Sequence, residues 1–567
     1  MKRKSKVLVS AVMAGSLLLS GCGSAGGAET AAQTAQISKE SSDAAQPAAA
    51  EAANAAQDGA PTVITWLHDS YDVSGLDNWY DALWVRELES RLNVDIQFVD
   101  VSSADNYDNV VNLTIAGDWP DVIFWDWSKY SGGLDQAVAD GLVVPITSNP
   151  AYSAKVPHYL DIVENNDLMR KALTQADGTI SGFAHVEESA QRNAYSGYTI
   201  REDWLKRVGL EIPTTVDELH TALLAFKEQD ANGNGDPTDE IPMSDRNSLN
   251  LIKELGAAWG LIYNTMQLDP ETGKVNFWTE VNDGANFRDF TTTMAQWYAE
   301  GLIDPEFTTN VQDDINAKVT SDRLGFFHSN TNRFPSYNAI LATSAANPSD
   351  VKLTGLERLS YQYNPSKHLT VATNLKNWCA PAELTVITKA AEKDGSIDKI
   401  LELFDYMYSP EGQILMNWGV EGESFEYGAD GKPQWLDKVT NDDATLNSDK
   451  VQEYCIPTRG GFPKVMSLDA WMSIDCVGAE AQEALDRNWG ADKDILIPSI
   501  TVTGEDAEEY TRIMNDVNTA VAETFLQVVI GEKGADAIDT LYTTLDAMNI
   551  QRAIEIYQKI FDAYEAK

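Results

Sequence analysis

Beyond residue 60, hydrophobic positions recur at two periods. Val63, Ile64 and Trp66 open a strand, and Trp84, Leu88 and Leu92 at i, i+4 and i+8 predict a helix around 78–92. Val94, Ile96 and Phe98 then alternate as a second strand. A third unit runs from Val110 to Ile115, turns at Gly117-Asp118-Trp119-Pro120-Asp121 and enters the apolar run Val122-Ile123-Phe124. Strand and helix in alternation predict a parallel sheet covered by helices. Such sheets bind ligands beyond the carboxyl ends of their strands. His68 and Asp69 follow the first strand, and Trp125, Asp126 and Trp127 follow the third, so these are candidate site residues. Further on, Tyr198-Thr199-Ile200 reads as a strand, and Thr215 and Glu218 are spaced as a capping box. The helix they start carries Leu219, Leu223 and Phe226 on one face. Two C-terminal helices follow: Ile513, Val517, Val521 and Phe525 form one stripe, closed by Gly531, and Ala553, Ile554, Tyr557, Ile560 and Tyr564 form the other.

The pattern changes at the N-terminus. Lys2, Arg3, Lys4 and Lys6 precede the apolar run Val7 to Leu19, which is shorter than a membrane span and fits a secretory leader. Leu19-Ser20-Gly21-Cys22 resembles the bacterial lipobox, which implies cleavage before Cys22 and a lipid on its thiol. Residues 1–21 are therefore expected to be a lipoprotein signal peptide. Residues 22–60 are rich in Ala, Ser and Gln without an aromatic residue, and cannot bury enough apolar surface to offset their ordering entropy. They are expected to be a disordered tether. The rest should be a folded body held at the outer face of the cell membrane through the lipid alone.

A body running from about Pro61 to Lys567 is too long for one core, so two lobes are expected. The net charge of -45 argues against nucleic acid and anionic lipid surfaces as partners, but names no ligand. Cys379, Cys455 and Cys476 form no CxxC or Cys/His cluster, which favours buried thiols and leaves a disulfide open. One motif does suggest a metal. In Asp-Ala-Asn-Gly-Asn-Gly-Asp-Pro-Thr-Asp-Glu from 230 to 240, Asp230, Asn232 and Asn234 place oxygen ligands at alternate positions. Asp236 can add a carbonyl, and Asp239 or Glu240 can close the shell. Hard oxygens in this number suit Ca2+ in a structural role, although Glu240 stands at position 11 where an EF-hand has its Glu at 12.

Several segments together resemble the extracellular solute-binding lipoproteins of Gram-positive ABC-type carbohydrate importers, related to alginate-oligosaccharide- and maltose-binding proteins. They are Ala116 to Val122, Ile200-Arg201-Glu202-Asp203-Trp204-Leu205 through Leu210, Pro213 to Leu219, Gly301-Leu302-Ile303-Asp304-Pro305-Glu306-Phe307 and Ser409-Pro410-Glu411-Gly412. The resemblance implies an α/β, two-lobed clamp of the periplasmic-binding-protein type II, each lobe a mainly parallel sheet under helices, with a hinge and a helical C-terminus. It places the N-terminal lobe at 61–190 plus 366–425 and the C-terminal lobe at 191–365 plus 426–567, with crossings near 185–195 and 362–370. It further implies a monomeric, non-enzymatic protein that delivers an oligosaccharide to ABC permease subunits. Alginate-binding members carry a calcium loop similar to 230–240. The chain departs from the family at Asn377-Trp378-Cys379-Ala380-Pro381, a loop that borders the cleft in many members.

Sugars present apolar C–H faces to aromatic rings and hydroxyls to polar groups, so 15 Trp residues offer many platforms, most of which belong to the core. Trp84, Trp204 and Trp297 are assigned to packing. Trp125, Trp127, Trp259 and Trp378 are the candidate platforms, and His68, Asp69 and Arg333 the candidate polar partners. Two alternatives remain: a secreted polysaccharide-active enzyme, and a clamp-fold surface sensor or adhesin not coupled to transport. The sequence has no G-x-S-x-G elbow, H-E-x-x-H or phosphate loop to support the first.

Overall fold

The computed structural model describes residues 59–73, 75–101, 108, 111–112, 119–269, 272–362, 369, 379–440, 447–498, 500–502 and 506–567. Cys22, Trp378 and most of the segment expected as a helix over 110–115 lie outside these residues.

The body is built on two main sheets. The first has the order Val94–Val101, Thr62–Asp69, Val122–Asp126, Glu383–Ile387, Gly182–Phe183. Its first three strands are parallel, with Thr62 opposite Val94 and Trp66 opposite Val122. Glu383–Ile387 runs antiparallel to both its neighbours. The second sheet has the order Leu353–Gly355, Ser196–Arg201, Leu324–Asn330, Ile241–Met243. Only its last pair is parallel. Both sheets are thus mixed, where mainly parallel sheets were expected. In the first, Glu383–Ile387 enters only after the chain has left for the second sheet and come back, and it inserts in the opposite sense. In the second, Leu324–Asn330 and Leu353–Gly355 flank Ser196–Arg201 on both sides without a parallel crossover.

Each sheet has its own core. In helix Leu83–Leu92, Trp84, Leu88 and Leu92 are buried against the first sheet. The helix stops at Asn93, whose left-handed backbone (φ 52°) turns the chain straight into Val94–Val101. In helix Val216–Glu228, Leu219, Leu223 and Phe226 are buried in the second core. Its capping box is formed: the Glu218 N–H donates to Thr215 Oγ1 at 3.2 Å, and the Thr215 N–H donates to Glu218 Oε2 at 3.2 Å. Trp204 and Trp297 join the same core, as assigned from sequence. The long helix Ala507–Val529 and the helix Ile550–Glu565 close that core from the C-terminal side. Ile456, Phe462 and Val465 pack into the first core, so the chain returns there beyond residue 425. Among the described residues, no helix is long and apolar enough to cross a membrane. Cys379, Cys455 and Cys476 are free and buried.

Candidate binding cleft

A cavity of about 750 Å³ opens where the strand ends of the first sheet meet the end of the second. One wall is Asp69, Phe124, Trp125, Asp126 and Glu383 from the first sheet. The connecting segment 185–195 contributes His185, Glu187, Arg192 and Tyr195. Asn330 and Asn332 come from the end of Leu324–Asn330 and the turn after it, and Trp471 and Asp475 from helix Leu468–Asp475. The turn Thr458-Arg459-Gly460-Gly461 closes the ring.

This turn depends on glycine. Gly461 has φ +88°, and a Cβ there would lie 3.2 Å from the Phe124 ring and 3.3 Å from His68. Its N–H donates to His185 Nδ1 at 3.3 Å. Burial, with Arg192 and Lys464 nearby, pulls the His185 imidazole down to about 4, so at neutral pH the ring is uncharged and accepts that bond.

Charges in the wall are arranged as pairs. Glu187, 4 % exposed, accepts from Arg192 at 2.8 Å. Burial raises its carboxyl, while Arg192 and Lys464 pull it back. Lys129 donates to Asp108 at 2.7 Å. Arg459 lies over the Tyr71 ring at 3.5 Å and 3.8 Å from Asp69. Burial pushes Asp69 up, but the His68 ring and Arg459 outweigh it and hold the carboxyl below its usual range. Asp475 accepts from Trp471 Nε1 at 2.9 Å, and burial lifts its carboxyl to about 6. Among the described residues, four buried polar atoms of the lining have no partner: Glu187 Oε2, Arg192 Nε, Asn332 Oδ1 and Asp475 Oδ1. Leaving such atoms unpaired costs about 1–3 kcal/mol each, which a polar ligand recovers.

The expected ligand positions divide. Asp69 lines the cavity, and so does Trp125, which is however 1 % exposed and donates its Nε1–H to Asp108 at 2.9 Å, so it forms the wall's backing more than an open platform. His68 lies behind the cavity, 1 % exposed, sandwiched between Phe124 at 4.8 Å and Phe462 at 4.1 Å, where it orients Asp69 instead of meeting a solute. Trp127 faces away: its Nε1 donates to the Leu384 carbonyl at 3.0 Å, and it lines a separate cavity of about 410 Å³. Trp127 lies just beyond the end of strand Val122–Asp126, in the turn Trp127–Lys129, so it leaves the face that continued alternation would share with Trp125, and the two rings stand at 78° to one another. Trp259 is fully buried against Phe290 and Tyr361, its Nε1 donating to Asp289 at 2.7 Å; an apolar ring with a satisfied donor is core. Arg333 is spent on Asn316 at 3.5 Å and is not part of the lining.

Sequence reasoning missed Glu187, Arg192, Tyr195, Arg459, Trp471 and Asp475. Tyr195 is the notable omission, an aromatic residue of the cavity that is 40 % exposed. It sits in the segment expected to cross between lobes, and that position was the available signal. Gly460-Gly461 after Arg459 was a second.

No protein-family model matches the chain. The fructooligosaccharide ABC transporter substrate-binding protein FusA of Streptococcus pneumoniae is 26 % identical over 513 residues, covering 86 % of this chain and 88 % of FusA. The chain is a homologue of ABC-transporter substrate-binding proteins. Lipoprotein LipO of Bacillus subtilis is 25 % identical over 237 residues, 40 % of this chain and 43 % of LipO. Among solved structures, the alginate-binding protein AlgQ2 without calcium ion superposes with a TM-score of 0.68 at 22 % identity, covering 88 % of this chain and 98 % of that one. A FusA EF-hand mutant in complex with fructo-nystose gives 0.69 at 22 %, covering 89 % and 100 %. These likenesses establish the two-lobed α/β fold. FusA and AlgQ2 are named as binding proteins and not as enzymes.

The loop 230–240 answers part of the calcium expectation. Among the described residues, no three His, Cys, Asp or Glu side chains converge as a metal site. Asn232 Oδ1 accepts from the Asn234 N–H, Asn234 Oδ1 from the Asp236 N–H, and Asp230 Oδ2 from the Gly235 N–H. Asp230 Oδ1 and Glu240 Oε2, however, are buried without a partner. Burial raises the Glu240 carboxyl, with Asp239 adding to the rise. Two orphaned carboxylate oxygens on an acidic, oxygen-rich loop fit a hard cation.

Proposed function

We propose that the protein captures an oligosaccharide in the 750 Å³ cavity and presents it to ABC permease subunits, tethered to the outer face of the cell membrane by a lipid on Cys22. The observation that carries this reading is the lining itself. The exposed Tyr195 ring and the Phe124 ring stand in the same lining as unpaired polar atoms of Glu187, Arg192 and Asn332. Such a mixture suits a ligand with apolar faces and hydroxyl edges. The likeness to FusA, named for fructooligosaccharide, supports it. In this reading Ca2+ is held by Asp230, Asn232, Asn234, the Asp236 carbonyl, Asp239 and Glu240. It would neutralise the loop's carboxylates and stiffen the loop, away from the sugar.

The test is calorimetric titration of the full chain with neutral fructo-, malto- and xylo-oligosaccharides, followed by chromatography of the sugar. Saturable binding of at least one, recovered chemically unchanged, is the expected result. Tyr195→Ala should weaken that binding about tenfold, the loss of about 1.4 kcal/mol of ring contact. Turnover of the sugar would instead make the chain an enzyme.

A further inference from the structure

The cavity's charge carries more than its shape. We infer that the site takes uncharged, hydroxyl-donating oligosaccharides and rejects those built from uronic acids. This inference rests on the reading of the cavity as a sugar site and narrows it.

An anionic sugar needs a cation that is free to meet its carboxylate, usually an arginine in bidentate contact. Among the described residues, each cation of the lining is already committed to a carboxylate of the protein: Arg192 to Glu187, Lys129 to Asp108, and Arg459 to Asp69. Arg459 is also held over the Tyr71 ring. The His185 ring, beside Gly460 and accepting from the Gly461 N–H, is kept from adding a positive charge first by its burial and then by Arg192 and the buried Lys464. Lys464 itself is fully buried and donates to the Ile456 carbonyl. It is absent from the lining.

Among the described residues, three lining carboxylates have no ion-pair partner. Asp126 accepts from the Ser128 N–H and hydroxyl. Glu383 is exposed near Asp126 and Asp69, whose charges help raise its carboxyl. Asp475 accepts from the Trp471 indole. The surplus is negative, and it would repel a uronate.

The unpaired atoms agree in sign. Glu187 Oε2, Asn332 Oδ1 and Asp475 Oδ1 are acceptors and need a donor, while Arg192 Nε alone needs an acceptor. Glu187 is more than nine-tenths buried, so it cannot turn to bulk water. Hydroxyl groups supply donors and an acceptor together. A carboxylate supplies only acceptors, and would set them against Glu187 and Asn332.

Size-matched probes test this. The full chain is titrated by calorimetry with neutral trisaccharides (kestose, maltotriose, xylotriose), with trigalacturonate and a trimeric alginate fragment, and with a glucosamine trimer. The expected result is binding of at least one neutral trimer, with the uronates at least about tenfold weaker than it. Raising NaCl should narrow the gap, because part of it is screened repulsion. Glu383→Gln should also narrow it, read as the ratio of the uronate Kd to the Kd of the best neutral trimer in the same variant. Uronate binding equal to or tighter than the best neutral trimer would overturn the inference and leave the sugar reading intact. Tighter binding of the glucosamine trimer would overturn the assignment to uncharged sugars. If no trimer of any charge binds, the sugar reading itself fails, and the inference with it.

Discussion

At the residue scale, Asp475 gives the cavity a pH response. Its carboxyl is lifted to about 6 by burial, and it accepts from Trp471 on one side of the site. A sugar hydroxyl that donates to it prefers the carboxylate. Affinity for a neutral oligosaccharide should therefore be full above about pH 6 and weaken below it, approaching tenfold per pH unit. Asp475→Asn should flatten this profile between pH 5 and 7.5, as read from calorimetric Kd values. A wild-type Kd that stays constant across that window would refute a role for this carboxyl. His185 does not confuse the result, because its ring is held down to about 4 and is neutral throughout. At this scale the sequence was only partly legible. Asp69 and Trp125 could be placed by strand polarity alone. Glu187, Arg192 and Asp475 could not, since their chemistry comes from burial and from partners distant in the chain, and neither is written in local spacing.

At the element scale, the regular pieces were the legible ones. Helix Leu83–Leu92, the capped helix Val216–Glu228 and the two C-terminal helices follow from periodicity and capping chemistry that act within a few residues. Strand direction did not follow, because Glu383–Ile387 pairs across the chain with Val122–Asp126 and nothing in either run fixes the sense of pairing. Loop 230–240 could be singled out as a candidate because a metal loop is a local arrangement of oxygens. Its orphaned Asp230 Oδ1 and Glu240 Oε2 lead to a prediction. Adding Ca2+ to chelator-treated protein should raise the unfolding midpoint, by about 2.7 kcal/mol of stabilisation at one hundred times the Kd. Glu240→Gln should remove most of that gain. It should also raise stability slightly in chelator, because it relieves a buried carboxylate beside Asp239. A midpoint indifferent to both calcium and chelator would exclude the site.

At the scale of the whole molecule, the cavity joins two bodies of structure. Asp69, Trp125 and Glu383 stand on the sheet of the first core; Asn330 and Asn332 end a strand of the second sheet. A ligand touching both sides is stabilised only when they are close, so binding selects the closed arrangement from an open–closed equilibrium. The unpaired Glu187 Oε2, Arg192 Nε and Asn332 Oδ1 favour the same outcome, because an enclosed ligand can supply the partners they lack. The radius of gyration by small-angle X-ray scattering should therefore fall when a binding oligosaccharide saturates the protein. Tyr195→Ala, at a sugar concentration below its own weakened Kd, should keep the radius of the free form. Arg192→Ala bears on the coupling more directly. It removes the Glu187 partner and a cation of the connecting segment together, so it should weaken binding and shrink the scattering change even at saturation. A radius that stays constant while calorimetry records full occupancy would show that the two sides are fixed. The cavity would then be a rigid receptor, and a permease would have to recognise the ligand itself and not the closed shape.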